Sequence, residues 1–183
     1  MKIIVGITGA SGFCLASDLI RTLREKEVEV HLIVSDAARK VGEIEGCDID
    51  ATISMADRCY SNTELEATIS SSTYKMDGMV IVPCSLKTLS SVANGHSNNL
   101  ISRAAENMIR MGKRLVVMPR ETPLSPQALK NMTTLSTYGV TIMPPVIAYY
   151  TRPKDISEIN AFFVGKVLDI FNIEHNLPRW KGI

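Results

Sequence analysis

The chain has 183 residues, 45% of them hydrophobic and 21% charged, with 20 Lys and Arg against 19 Asp and Glu. That length suits one domain of about 100–200 residues, and the hydrophobic fraction with a mean hydropathy of +0.10 excludes a disordered or low-complexity chain. A net charge of +1 leaves no electrostatic footprint for nucleic acid or an anionic membrane, and no apolar run approaches the roughly 20 residues of a membrane helix.

Four short apolar runs follow in chain order: Lys2 to Thr8, Val28 to Val34, Met79 to Val82 and Arg114 to Met118, with a weaker fifth at Val140 to Met143. Each is apolar almost throughout, as expected of strands covered on both faces. Between the first two, Leu15, Ala16, Leu19, Ile20 and Leu23 recur at three- and four-residue spacing and predict a helix from about Phe13 to Lys26. Leu100, Ala104, Ala105, Met108 and Ile109 predict another, and Ala128, Met132 and Leu135 a third. The stretch from about Cys47 to Tyr74 lacks strong periodicity and reads as a helix with a loop or irregular strand. The whole predicts an α/β fold, a doubly wound, Rossmann-like parallel sheet with helices on both faces, in one domain over 1–183. A tail from about Ile173 carries Trp180, the only tryptophan, which requires an apolar partner on its own or a neighbouring subunit.

Cys14, Cys47, Cys59 and Cys84 form no C-x-x-C pair and meet no His at zinc-finger spacing, so neither a disulfide framework nor a metal site is expected. Ile3, Ile4 and Val5 are too few for a signal-peptide core, and Gly6 interrupts them, so a cytoplasmic location is expected.

Ligands of such folds collect beyond the carboxyl ends of the strands. Gly6, Gly9 and Gly12 span the first strand–helix junction, where glycine permits a tight turn and a helix N-terminus presents free N–H groups to an anion. No Lys follows Gly12, so this is not a Walker loop; a phosphate or flavin cradle fits it, and so does a packing-only turn. Asp36, after the second strand, stands where a dinucleotide fold keeps a ribose-binding acid, and equally suits the start of a helix. Tyr150 and Lys154 have dehydrogenase-like spacing, but Pro153 between them opposes a shared helical face. Ser85 can cap a helix, whereas Lys87 in that helix's first turn is poorly placed unless an anion balances it. Arg120 and Glu121 follow the fourth strand, as a phosphate-binding fork or as a structural ion pair. None of His31, His96 and His175 stands beside an identified nucleophile, and G-x-S-x-G is absent, which disfavours a hydrolytic triad.

Together the motifs Gly9-Ala10-Ser11-Gly12, Pro83-Cys84-Ser85-Leu86-Lys87-Thr88-Leu89, Arg120-Glu121-Thr122-Pro123-Leu124 and Met143-Pro144-Pro145-Val146 with Tyr150-x-Arg152-Pro153 resemble the flavin prenyltransferase (UbiX) family, over nearly the whole chain. The resemblance implies a flavodoxin-like flavoprotein fold and a metal-independent transfer of a dimethylallyl group from dimethylallyl phosphate to N5 and C6 of reduced FMN, the acceptor substrate. The prenylated FMN would pass to a UbiD-type decarboxylase. It implies FMN contacts from Gly9, Ala10, Ser11, Ser35, Ser85, Leu86, Lys87, Thr88, Arg120 and the stacking Trp180. Tyr150 and Lys166 would bind the prenyl phosphate, with Arg103, Arg110 and Glu121 beside them, and Glu45 would stand near the reacting flavin. Ser11, Glu45, Glu121 and Tyr150 are the implied catalytic set. Arg110 departs from the family's Lys, which changes the geometry of a phosphate contact. The family also implies a dodecamer whose sites draw on neighbouring subunits. Two alternatives stand beside this: an accessory subunit that only carries flavin, and an FMN-dependent cysteine decarboxylase, whose catalytic His and Asn-and-Met loop the sequence lacks.

Overall fold

A computed structural model of the chain describes residues 1–176. Six strands form one all-parallel sheet: β1 (Lys2–Ile7), β2 (Glu29–Val34), β3 (Arg58–Ser61), β4 (Gly78–Cys84), β5 (Arg114–Pro119) and β6 (Thr141–Ile142). Their order is β3-β2-β1-β4-β5-β6, the doubly wound Rossmann arrangement; without the short edge strand β3 it is the flavodoxin order. The direction of winding reverses between β1 and β4, so the crevice beyond those two strands is where such a fold places its ligand.

The helices are α1 (Phe13–Glu25), α2 (Asp36–Ile44), α3 (Ile49–Ser54), α4 (Leu86–Ala93), α5 (Leu100–Arg110), α6 (Pro126–Thr137) and α7 (Ile156–Ile170). Alternate strand residues separate the core into two layers. Ile3, Val5, Ile7, Val80, Val82, Val116 and Met118 pack with α1 and α7, while Ile4, Met79, Ile81, Leu115 and Val117 pack with α4, α5 and α6. This two-residue period is that of a strand buried on both faces, where each Val, Leu or Ile removed from water contributes about 1.5–3 kcal/mol.

Three features depart from the sequence expectations. The stretch after Cys47 contains α3 and the edge strand β3, whose half-exposed residues carry no long apolar signal. Helix α7 was marked by no predicted element, although Asp155 caps it by accepting from the Glu158 N–H at 2.9 Å, and Phe163, Val164, Val167 and Leu168 bury its inner face on α1. Its many apolar residues weaken the contrast between faces that periodicity relies on. Most directly, Cys14 and Cys47 form a disulfide, where none was expected. They are 33 residues apart and only the packing of α2 against α1 brings them together, so spacing carries no sign of the pairing. Trp180 lies outside the described residues.

Candidate flavin and prenyl site

The exits of β1 and β4 are clasped by one side chain. The buried Thr8 hydroxyl donates to the Pro83 carbonyl at 2.8 Å and accepts from the Ser85 N–H at 2.7 Å, while the Thr8 N–H donates to the same carbonyl. This clasp sets the Gly9–Gly12 loop against the Ser85 turn. Ser35 and Ser85 then cap α2 and α4, accepting from the Ala38 and Thr88 N–H groups. Two helix N-termini therefore open on the same crevice.

Two cavities share these loops. The first, of about 520 Å³, is lined by Thr8, Gly9, Ser35, Ser85, Lys87 and Thr88, and also by Asp36, Asn62 and Asn99. Its size lies within the usual range for small-molecule sites. Lys87 is exposed there and forms no ion pair with a described residue, so its charge in the first turn of α4 is open to an anion. Gly9 is required at this point: a Cβ on it would lie 2.5 Å from the Cβ of Ala37, at the first turn of α2. The backbone thus runs close enough to form a cradle, and the residues present fit a phosphorylated flavin.

The second cavity, of about 220 Å³, is more apolar. Ser11, Gly12 and Arg120 stand at it with Leu15, Met118 and Phe163, and Ile147 joins from the chain after β6. Arg120 is exposed and unpaired among the described residues; the Glu121 carboxylate accepts instead from its own neighbour's Thr122 N–H at 3.0 Å. A structural Arg120–Glu121 ion pair is therefore not formed. A permanent cation beside an apolar slot suits an allylic ester, chain in the slot and anionic head at the guanidinium.

The turn between the cavities is held from a third element. Gly12, with φ of +116°, is the N-cap of α1 and has no side chain with which to cap it. Glu45, just after α2, supplies the cap: its Oε1 accepts from the Gly12 N–H at 2.8 Å and its Oε2 from the Phe13 N–H at 2.9 Å. A carboxylate there also complements the helix dipole.

The structure gathers seven of the predicted residues at the two cavities and leaves others apart. Gly9, Ser35, Ser85, Lys87 and Thr88 line the first cavity, and Ser11 and Arg120 the second. Ala10 is buried beneath the loop, and Leu86 packs inward against the α4–α6 layer. Tyr150 and Lys166 meet around Phe162, whose ring lies edge-on to Tyr150 with centroids 6.3 Å apart and 5.5 Å from the Lys166 Nζ. Neither lines the two cavities. Arg103 and Arg110 also lie elsewhere, on α5: Arg103 Nε donates to the Ser70 carbonyl at 3.4 Å, and Arg110 donates to the Asn107 amide oxygen. Thr8, Asn62 and Asn99 were missed. The Asn98-Asn99 pair before an apolar helical run was the available signal for Asn99, which caps α5 by accepting from the Ser102 N–H; Thr8 and Asn62 act through long-range contacts that no spacing marks. Cys84 is fully buried, and burial pushes its thiol far up, which excludes it as a nucleophile at neutral pH.

A model of the flavoprotein family matches residues 1–168. The flavin prenyltransferase UbiX of Methanocaldococcus jannaschii is 43% identical over 186 residues, covering 100% of both chains. This chain belongs to the flavin prenyltransferase family. Two solved structures extend the likeness of this flavin prenyltransferase to the fold. A dodecameric FMN-dependent UbiX-like decarboxylase from Escherichia coli O157:H7 superposes with a TM-score of 0.96 at 41% identity, covering 100% of both chains. AnUbiX (PadA1), in complex with FMN and dimethylallyl pyrophosphate, gives a TM-score of 0.96 at 36% identity, covering 100% of this chain and 98% of that one. Among the described residues, no helix of this flavin prenyltransferase is long and apolar enough to cross a membrane.

Proposed function

We propose that this enzyme joins a dimethylallyl group from dimethylallyl phosphate to N5 and C6 of reduced FMN, in the cytoplasm, for use by a UbiD-type decarboxylase. The carrying observation is the pair of cavities on one loop, the first polar and open to Lys87, the second apolar with Arg120 at its edge. The likeness to a protein solved with FMN and a dimethylallyl ester supports the same pair of ligands.

In this reading Lys87 and the N-termini of α2 and α4 hold the flavin phosphate. Reduced FMN, once bound, supplies the nucleophilic N5 and the ring carbon C6. Arg120 balances the charge that collects on the leaving phosphate as the allylic C–O bond breaks, without a metal ion. Leu15, Met118, Ile147 and Phe163 hold the hydrocarbon chain and keep water from it. Glu45 fixes Gly12 and Phe13 and so the height of the Ser11 turn. The phosphate released at Arg120 accepts the proton lost from C6, whereas Glu121, which lines neither cavity, holds the Thr122 N–H. Tyr150, Lys166, Arg103 and Arg110 stand apart from these cavities and complete a prenyl-phosphate site in an adjacent subunit of a dodecamer.

The test is anaerobic incubation of the purified protein with reduced FMN and dimethylallyl phosphate, with the diphosphate in parallel. The expected product is a flavin heavier by one prenyl unit in mass spectrometry. Unchanged FMN with both donors would overturn the reading in favour of a flavin carrier.

A further inference from the structure

A disulfide lies at the base of the site. Cys14 is the second residue of α1 and Cys47 follows Glu45 by two, so the bond ties the turn after α2 to the first turn of α1. That is the same junction at which Glu45 holds the N–H groups of Gly12 and Phe13. Ser11 and Gly12 in turn line the apolar cavity. Covalent bond and carboxylate cap act on one loop, two residues from each other. With the sulfurs bonded to one another, the Cys14, Glu45 and Cys47 group offers a metal ion no thiolate.

We propose that Cys14 and Cys47 are a reversible redox latch on the flavin loop. Closed, the disulfide holds the 45–47 turn against α1, and Glu45 keeps the Ser11–Gly12 turn in its binding position. Open, the turn is retained by the two Glu45 hydrogen bonds and by Gly42 beneath the Phe13 ring, and the loop is freer. Both cysteines are half-buried rather than enclosed, which leaves the bond within reach of a small thiol. A glutathione thiolate attacks the Cys47 Sγ, the S–S bond breaks, and Cys14 leaves as a thiolate. A second glutathione resolves the mixed disulfide. Two electrons and two protons pass to the protein, and two glutathiones become one disulfide.

The latch rests on the flavin part of the proposed function and not on prenyl transfer, so its test uses FMN binding alone. Full-length protein is equilibrated in oxidised and reduced glutathione, mapped by alkylation and non-reducing peptide mass spectrometry, and titrated with FMN by fluorescence quenching. We expect the linked Cys14–Cys47 peptide in the oxidised sample and an FMN Kd raised at least about fivefold on reduction, the low end of coupling between sites. By linkage, saturating FMN then makes the pair harder to reduce by the same factor, about 20 mV at 29.6 mV per tenfold for two electrons. The double variant Cys14→Ser, Cys47→Ser is expected to bind with the weaker affinity at every glutathione ratio, with an unchanged circular dichroism spectrum. The latch is overturned by thiols that stay alkylatable in oxidised glutathione, by equal Kd values in the two states, or by a double variant that still responds to glutathione. A pair that titrates while FMN binds equally well sinks the latch alone, whereas no FMN binding in either state sinks the site reading with it.

Discussion

Glu45 does for Gly12 what a serine or aspartate at that position would do for itself, and does it with both oxygens. Replacing it by Gln puts an amide N–H₂ against one of two backbone N–H donors. Hydrogen bonds to a charged group are worth about 1.5–3 kcal/mol, so Glu45→Gln is expected to lower stability by roughly that amount in urea unfolding. Through a displaced Ser11 turn it should weaken FMN binding, as opening of the disulfide does, and slow prenyl transfer several-fold. An unchanged FMN Kd in a titration of the variant would show instead that the cradle is set without the cap.

A second residue effect lies away from the site. The Glu29 carboxyl is held below its ordinary value of 4.5, first by the His31 hydrogen bond and then by Lys2. A carboxyl with a depressed folded pKa contributes stability above its unfolded value that is lost as pH falls through the folded one. Urea midpoints measured downward from pH 5 should therefore fall more steeply in the native protein than in Glu29→Gln. The difference is small, because the group is half-exposed and screened.

At the scale of elements, the site depends on how two strand ends are fastened. Thr8 is the only described side chain hydrogen-bonded to both the Pro83 carbonyl and the Ser85 N–H. Thr8→Val keeps the shape and the β-branch, leaving that N–H and one carbonyl lone pair without a side-chain partner. The expected cost is about 2–3 kcal/mol in chemical denaturation, from buried polar groups left unpaired. FMN affinity should fall with it, since the Gly9 loop and the Ser85 turn would no longer be set against each other. A valine variant with native stability and affinity would assign the register of these loops to the sheet alone.

For the molecule as a whole, the segment after β6 is left without cover. Val146 is 72% exposed, Tyr149 81% and Ile156 71%, all within eleven residues that include Tyr150. Apolar surface gathered in this way marks an interface more often than free surface. It fits the proposed dodecamer, in which Tyr150 and Lys166 face another subunit's cavities. Val146→Asp is expected to shift the assembly from twelve 20.1-kDa chains to smaller species in mass photometry. Prenyl transfer should drop with assembly while FMN binding to the remaining particle weakens less. A variant that dissociates yet keeps full transfer would place the whole site within one chain.

The short, almost wholly apolar runs such as Ile3 to Val5, the helical stripe from Leu15 to Leu23 and the glycines of the first loop were enough, by periodicity and backbone freedom, to predict a parallel sheet with helices on both faces. The loop motifs were enough to predict the family. Local chemistry of that kind is written in neighbouring residues. The Thr8 clasp across 77 residues, the Glu45 cap across 33 and the Cys14–Cys47 bond were decided only by tertiary structure. The same holds for the position of Arg103 and Arg110 on α5, away from both cavities. Each depends on distances between elements that no residue spacing records, because they arise when the sheet brings distant strand ends side by side.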